Sequence, residues 1–296
     1  MPQSYMPFLV HLTARSRVSE NLVRLTFKGP TLDQFGTTCL DQRIKLAFGS
    51  RECVEELVER DDWFAWARSL PEHVRPHLRT YTVKAVRPML KELDVDFVVH
   101  GTEGPASAFA VKAPIGTHIA VVGPVEGAPG SSSEGVAWAP GSASHILIAG
   151  DETAVPAISN IIESLSPEMR GAVFVEVPSP GDIQNFTAPH GVSVKWLPRV
   201  AHAGATRGDV LHREVQEWCD HNGLPSCDVQ TDVDNSYDNS VLLWDEAKQG
   251  NTDELYTWVA ADADTVAQLR HEMRKKRGLP RESSSFMGYW RMGVSL

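Results

Sequence analysis

The sequence has few cysteines and no closely spaced cysteine pair. Its four cysteines, Cys39, Cys53, Cys219 and Cys227, never form a Cys-x-x-Cys motif, the spacing typical of zinc and iron–sulfur sites. The histidines also lack metal-ligand spacing, so we predict no bound metal. A few unpaired thiols are typical of a protein in a reducing cytoplasm. Any electron carrier in this chain is therefore expected to be an organic cofactor.

Long apolar runs and excess positive charge are also missing. No stretch approaches the roughly 18 apolar residues of a membrane-spanning helix, and residues 1–10 do not resemble a signal peptide. The net charge of −10 argues against a general nucleic-acid binder. With 42% hydrophobic and 22% charged residues, the composition is that of an ordinary globular protein. We expect a cytoplasmic location.

The chain divides in the middle at a segment rich in Gly, Ser, Pro and Ala. We predict domains at 1–125 and 146–296, joined by a linker at 126–145. Six short alternating runs in the first domain predict an antiparallel barrel or sandwich. Residues 51–77 interrupt these runs and are predicted to be a helical insertion. The six runs are FLVHLTARSRV, NLVRLTFKG, QRIKLAFG, RTYTVKAV, ELDVDFVVHG and THIAVVGP.

The second domain alternates between strand and helix patterns. The segment HILIAGDETAVPAISNIIESL reads as a buried strand, a tight turn and a helix, and further strands and helices follow. This alternation predicts a parallel sheet covered by helices, an α/β nucleotide-binding arrangement. Residues 222–252 are polar and acidic and are predicted to be a long loop.

The stretch RTYTVK, residues 79–84, carries the first candidate site. On a strand, Arg79 and Tyr81 share one face, and Thr80 and Thr82 share the other. An arginine fork can bind a phosphate, and a tyrosine ring can lie against an aromatic cofactor. The alternative is an edge strand whose charged residues face water.

The segment HGTEGPASAFA, residues 100–110, follows one strand later. His100 at the strand end can hydrogen-bond a cofactor. Small residues after the turn at Gly104 and Pro105, namely Ala106 and Ser107, let backbone amides approach a diphosphate. The alternative is a turn that enters a short helix capped by Ser107.

Two more segments occur in the second domain. In AGDETAVPAI, Gly150 permits close backbone approach at a strand end, where open α/β sheets bind nucleotides. Asp151 and Glu152 would repel a phosphate, and their alternative role is helix capping. The C-terminal GYWRMG either contacts a cofactor or packs its aromatic side chains into the core.

Together, RTYTVK, DFVVHG-TEGPASAFA, IAGDETAVPAI and GYWRMG occur in an order that resembles the siderophore-interacting protein family. The resemblance covers nearly the whole chain. It implies an FAD-containing ferric-siderophore reductase related to the ferredoxin–NADP reductase fold. That fold has an antiparallel Greek-key β-barrel for FAD, followed by a parallel-sheet α/β domain for NAD(P)H.

The resemblance also implies a role for individual residues, with the chemistry left to the flavin rather than to a catalytic side chain. Phe109 stands where the family often has tryptophan. The implied cofactor-binding residues are Arg79, Thr80, Tyr81, Thr82, His100, Gly104, Pro105, Ala106, Ser107, Gly150, Asp151, Thr153, Ala154, Tyr289 and Trp290.

A ferric siderophore is often anionic, so a chain of net charge −10 needs a local basic pocket. Lys45 matches a basic position of the family, and Arg43 lies on the same strand face. Ala108 stands where the family often has a basic residue, which leaves the charge of the pocket open. Arg270 and the cluster 274–277 can compensate, although basic side chains late in a helix also complement its dipole.

The electron donor stays open between NADH, NADPH and a ferredoxin. Asp182 after the second parallel strand favours NADH, whereas Arg199 after the next strand can hold the extra phosphate of NADPH. The acidic pair Asp151 and Glu152 motivates an alternative, a flavin- and siderophore-binding protein that a ferredoxin reduces. A general flavin reductase is a further alternative.

Overall fold

The computed structural model describes residues 3–99, 101, 104–202, 204–224, 226, 243–247 and 254–292. Contacts along the backbone divide the chain after Val136 into two compact units, each with its own sheet and hydrophobic core. Among the described residues, none of the helices combines the length and the apolar character that a membrane crossing needs.

The first unit is built on a seven-stranded sheet in which every pairing is antiparallel. Its strands are β1 (Tyr5–Arg17), β2 (Leu22–Lys28), β3 (Arg43–Phe48), β4 (His77–Thr82), β5 (Ala85–Arg87), β6 (Glu92–Val98) and β7 (His118–Pro124). The order β4-β3-β7-β1-β2-β6-β5 makes β4 and β5 the edge strands. The sheet curls into a half-barrel that brings Tyr81 of β4 onto Phe97 of β6, with ring centroids 4.3 Å apart.

The alternation of residues along each strand decides which face of this sheet is buried. Ile44 and Leu46 of β3 are almost fully buried in the core on the concave face. Each such side chain contributes roughly 1.5–3 kcal/mol through burial. Other large, fully buried members of this core include Phe8, Leu12, Leu25, Phe27, Leu32, Phe35, Leu93 and Phe97.

The predicted insertion forms two helices, α1 (Arg51–Val58) and α2 (Trp63–Ser69). They cover the convex face of the sheet around Ala47. Ser50 begins α1 by accepting a hydrogen bond from the Cys53 amide at 3.3 Å, the usual role of a serine at a helix N-cap. One end of β3 is therefore covered on both faces.

The run RTYTVKAV is not the single strand that its sequence predicts. β4 ends at Thr82, and β5 begins at Ala85 on the other edge of the sheet. The Val83 amide still donates to the Gln42 carbonyl before β3, but the next amide, that of Lys84, donates to the Asp94 carbonyl of β6. The chain changes pairing partner between two adjacent residues, without the glycine or proline that would mark the change.

The second unit has a six-stranded sheet, and all its strands except β11 run parallel. Its strand order is β10-β9-β8-β12-β13-β11. The first unit also contains the helix α3 (Pro105–Lys112). The elements of the second unit are β8 (His145–Gly150), α4 (Val155–Ser164), β9 (Arg170–Val177), β10 (Gly191–Pro198), α5 (Asp209–His221), β11 (Trp244–Asp245), β12 (Leu255–Asp262), α6 (Ala263–His271) and β13 (Ser284–Trp290).

The predicted fold class is confirmed: an antiparallel, barrel-like sheet precedes a parallel α/β unit. Two details differ from the sequence-based expectations. The short strand β11 lies inside the segment predicted to be a loop, and α6 ends at His271 in a π-helical turn over 272–276. A two-residue strand has no periodicity of its own, so only its pairing with Phe286 and Met287 of β13 reveals it.

Candidate cofactor- and substrate-binding sites

Arg79 and Tyr81 lie on the concave face of the edge strand β4. Their partners across the strand pair are Leu46 and Ile44, both in the buried core. Burial strongly raises the pKa of the Tyr81 phenol, which keeps this ring neutral. The Arg79 guanidinium donates to the Leu78 carbonyl at 2.7 Å. The structure thus brings together the two residues predicted to bind phosphate and to stack on an aromatic ring.

Thr80, Thr82, Arg43 and Lys45 lie on the opposite, convex face of the same two strands. Lys45 Nζ donates to Thr80 Oγ1 at 3.3 Å. Desolvation of its ammonium and repulsion by Arg43 lower the pKa of Lys45. An anion bound between the two cations would relieve this repulsion. Thr82 is buried, so only part of this face is accessible.

Helix α3 begins at Pro105, with Gly104 as its N-cap residue. A proline in the first turn is favourable there because the missing amide has no helical partner. Ser107 therefore lies inside the first turn and is not the cap that the alternative reading assigned to it. Ala106 is buried against the concave core. His100 lies outside the described residues.

The backbone before α3 borders open space. A Cβ atom built on Gly101 or Gly104 would meet no atom within 4 Å. Phe109 of α3 packs on Phe48 with ring centroids 5.1 Å apart, and on Phe27 at 6.3 Å. The helix and Tyr81 therefore border one core, and Arg79 is paired with Leu46 of that core. The described residues fit FAD: Arg79 and the first amides of α3 suit its phosphates, and Tyr81 suits its ring.

Gly150 is required by packing inside the second unit. A Cβ atom there would lie 2.8 Å from Ala154 Cβ, 2.8 Å from Ile158 Cδ1 and 2.9 Å from the Ala260 carbonyl oxygen. The space beside this glycine is filled by the chain itself. The close approach of a cofactor is not needed to explain the residue, and its contact with a dinucleotide stays a prediction.

Asp151 is buried and joins three strand ends. Its Oδ1 accepts hydrogen bonds from the Thr153 amide at 2.9 Å and the Thr153 hydroxyl at 2.5 Å. Its Oδ2 accepts from the Asp262 amide at 3.0 Å and from Trp290 Nε1 at 2.8 Å. Burial, and secondly the charge of Glu152, raise the pKa of Asp151 to about 6. The capping role is present, together with two contacts that the sequence did not predict.

Glu152 is buried and is held by two arginines. Arg199 donates to both of its carboxylate oxygens, at 2.9 and 3.0 Å, and Arg207 donates to Oε1 at 2.6 Å. Burial lowers the pKa of Arg199, but its paired carboxylates outweigh this effect and leave the pKa raised. Arg199 therefore forms an ion pair with Glu152, whereas the sequence suggested it as a ligand for the 2′-phosphate of NADPH.

Glu176 near the end of β9 is a buried charged residue of this site that the sequence did not indicate. Its fully buried carboxylate accepts from Arg199 at 3.2 Å, and from the amides of Gly208 and Leu211 at the start of α5 at 2.9 and 3.1 Å. The amides of a helix N-terminus attract anions, and here the protein supplies its own. A carboxylate inside an otherwise apolar strand, VFVEV, was the available signal.

Tyr289 and Trp290 at the end of β13 have different environments. The Tyr289 ring stacks on Trp244 at 5.9 Å with an angle of 6° between the planes, and meets Trp258 edge-on. Trp290 is half-buried; its indole N–H reaches Asp151, and the Arg207 guanidinium lies 4.6 Å from its ring centroid. Tyr289 is held by aromatic packing, whereas Trp290 joins the charged groups at the carboxyl ends of the strands.

Arg270 belongs to a group of arginines around the buried Asp245. Arg270 Nε and Arg281 Nη2 lie 3.2 and 3.1 Å from its carboxylate, and Arg274 also donates to it. The arginines outweigh burial and lower the pKa of Asp245. Arg270 is in the last turn of α6, roughly 10 Å along the helix from the carboxyl edge where α6 begins. Its substrate role stays a prediction.

In a comparison with known proteins, two family models match this chain, one on each side of the boundary after Val136. Residues 11–128 match the siderophore-interacting FAD-binding domain, and residues 143–293 match the siderophore-interacting protein family. A ferric vibriobactin reductase of Vibrio cholerae is 35% identical over 195 residues, which cover 65% of this chain and 67% of that protein. A protein of Mycobacterium tuberculosis is 30% identical over 95% of this chain and 89% of its own length.

A solved structure shows the same fold. A siderophore utilization protein from T. fusca superposes with a TM-score of 0.70 at 25% sequence identity, over 99% of this chain and 96% of that one. The likeness includes both units, so the order of the two sheets along this chain is shared with that protein.

Proposed function

This chain belongs to the siderophore-interacting protein family, and we propose that it is a ferric-siderophore reductase that uses FAD and NAD(P)H. FAD held by this protein would supply the conversion between the two electrons of a dinucleotide and the single electrons that Fe(III) accepts. Iron is then released because siderophores hold Fe(II) far more weakly than Fe(III). The side chains of this protein bind and orient the three participants.

The observation that carries this proposal is the concave face of β4. Arg79 and Tyr81 share that face, and the open backbone at Gly104 borders the same core. Phosphate binding by Arg79 and ring contact by Tyr81 can therefore serve one FAD molecule. The match of residues 11–128 to an FAD-binding domain supports the same cofactor.

The dinucleotide is assigned to the carboxyl ends of the parallel strands in the second unit. Strands β9 and β10 lie on one side of β8, and β12 and β13 on the other. Parallel sheets bind nucleotides where the strand order reverses in this way. Asp151 and Asp262 mark that point, and Thr153, Ala154 and Trp290 are its neighbours.

The siderophore is assigned to the convex face of β3 and β4. Lys45 is exposed on that face, and desolvation and secondly the charge of Arg43 lower the pKa of its ammonium. An anionic ferric complex would neutralise both cations. This local basic pair supplies the attraction that a net charge of −10 does not.

Anaerobic flavin reduction tests the donor. The FAD-loaded protein is mixed with NADH, NADPH or a reduced ferredoxin, and bleaching of the flavin absorbance is followed. Bleaching by a dinucleotide supports the proposal, whereas bleaching by ferredoxin alone supports the second candidate, a ferredoxin-reduced protein. The acidic pair Asp151 and Glu152 motivates that candidate through the buried carboxylate of Asp151, since Glu152 is neutralised by Arg199 and Arg207. FAD that stays bound through gel filtration argues against a general flavin reductase.

A further inference from the structure

The Asp151 carboxylate connects three strands at the carboxyl edge of the second sheet. It follows β8, accepts from the Asp262 amide at the end of β12, and accepts from the indole of Trp290 at the end of β13. Thr153 occupies its other oxygen through two hydrogen bonds. One buried side chain thus fixes the spacing of the strand ends at the point where the strand order reverses.

The Trp290 indole is fixed from two directions. Asp151 holds its N–H at 2.8 Å, and the Arg207 guanidinium lies over its ring at 4.6 Å from the centroid. Arg207 is itself held by Glu152, whose other oxygen is bonded to Arg199. Trp290 is only half-buried, so part of this oriented ring reaches solvent beside the reversal point.

We propose that Asp151 is a positioning residue, which holds the Trp290 indole as a flat wall for an aromatic ring of the bound dinucleotide. The inference rests on the proposed function, because it needs a dinucleotide at this edge. A tryptophan that is already oriented loses little conformational freedom when a ring stacks on it, so the stacking energy is retained as affinity.

The hydrogen-bond pattern requires a carboxylate at position 151. Both of its oxygens accept: one from Thr153, and the other from the Asp262 amide and the Trp290 indole. An asparagine offers one accepting atom and one donating group. Whichever way its amide is turned, the NH₂ group faces N–H donors. Asp151→Asn therefore loses the hydrogen bonds that one of the two carboxylate oxygens accepts, with little change of side-chain volume.

The charged groups around Asp151 decide how protonation acts on this contact. Glu152 follows it on its own segment, Asp262 lies at the start of α6, and Arg207 and Arg199 approach from the segments after β10 through Glu152. Burial and Glu152 raise the pKa of Asp151 to about 6. Protonation converts one accepting oxygen into a donor, so the bond to the indole weakens as the pH falls through 6.

The affinity test is a double-mutant cycle with NAD⁺ and NADP⁺, which bind without reducing the flavin. Calorimetric titration compares the wild type, Asp151→Asn, Trp290→Ala and the double variant, with Glu168→Gln as a matched control on an exposed turn. We expect Trp290→Ala to weaken binding of the preferred dinucleotide about tenfold and Asp151→Asn three- to tenfold. The double variant should be no weaker than Trp290→Ala alone.

The second readout is the indole N–H resonance of Trp290 in ¹⁵N-tryptophan-labelled protein, identified by its absence in Trp290→Phe. It should titrate with a midpoint of about 6 in the wild type and lose that titration in Asp151→Asn. Additive losses in the cycle, or dinucleotide binding that Asp151→Asn leaves unchanged, overturn the positioning role alone. A wild type that binds neither dinucleotide overturns the proposed donor, and with it the assignment of Trp290 as a wall.

Discussion

Lys45 and Tyr81 lie on opposite faces of the same strand pair, β3 and β4. Tyr81 packs on Phe97 at the concave core, whereas Lys45 bonds to Thr80 on the convex side. The residues assigned to the flavin and to the siderophore are therefore separated by the thickness of one sheet. Substitutions at the two positions are expected to have separable effects.

Substitution of Lys45 tests the substrate assignment. Lys45→Ala should raise KM for an anionic ferric siderophore roughly three- to tenfold, corresponding to about 1 kcal/mol for a partly screened charge. The effect should shrink as salt is added, because the charge is exposed. Steady-state kinetics measure both trends, and the FAD content should not change.

Lys28→Ala is the matched control, because Lys28 is an exposed lysine of β2, three strands away from β3 in the same sheet. An equal rise of KM in both variants would mean that general charge, and not a pocket, attracts the substrate.

Substitution of Arg79 tests the flavin assignment. Arg79→Ala should weaken FAD binding about 10- to 100-fold, because a hydrogen bond to a charged group contributes roughly 1.5–3 kcal/mol. Flavin retained after gel filtration and the dissociation constant of FAD measure the loss. Arg60→Ala removes an arginine that pairs with Glu56 on the surface of α1 and should retain full flavin content. Unchanged FAD affinity in Arg79→Ala would place the phosphates elsewhere.

Substitutions at two glycines distinguish a requirement of packing from a requirement of cofactor binding. Gly150→Ala should destabilise the second unit by about 1–3 kcal/mol, because the added methyl overlaps Ala154, Ile158 and a backbone carbonyl. Gly104→Ala meets open space at an ordinary φ of −92° and should leave the melting temperature unchanged. It should nevertheless reduce FAD affinity, since its methyl fills the side from which a phosphate approaches. Normal FAD binding in Gly104→Ala would argue against an anion site at α3.

Asp151 predicts a pH dependence of stability. Its folded-state pKa of about 6 is above the ordinary value of 3.8. The protonated carboxyl therefore stabilises the fold. This contribution to the free energy of unfolding is fully present below pH 3.8 and is lost as the pH rises through 6. Between pH 5 and 7.5 the wild type should lose about 1.4 kcal/mol relative to Asp151→Asn, roughly half of the full effect of this pKa shift. Denaturant unfolding at several pH values measures this difference, and a constant difference would contradict it.

The strand patterns predicted which residues share a face, because side chains alternate with a period of two. Arg79 and Tyr81 could be paired in this way, and the structure places them together. The break after Thr82 could not be predicted, since it depends on which strands the adjacent amides of Val83 and Lys84 find. Local sequence contains no information about that choice of partner.

Ion pairs between distant residues could not be predicted from the sequence, because they also depend on which segments the fold brings together. Glu152 was assigned to a helix start, but its partners Arg199 and Arg207 are 47 and 55 residues away. Asp151 and Trp290 are 139 residues apart. Each motif could be identified separately, and only the parallel order of β8, β12 and β13 brings them together.

The most direct test of the central claim is release of Fe(II) from a ferric siderophore. The FAD-loaded protein is incubated anaerobically with NADH or NADPH, a ferric siderophore and a coloured Fe(II) chelator. The account predicts chelator colour well above the protein-free control, with one dinucleotide consumed for every two Fe(II) formed. Dinucleotide binding and full flavin content with no Fe(II) above that control would contradict it.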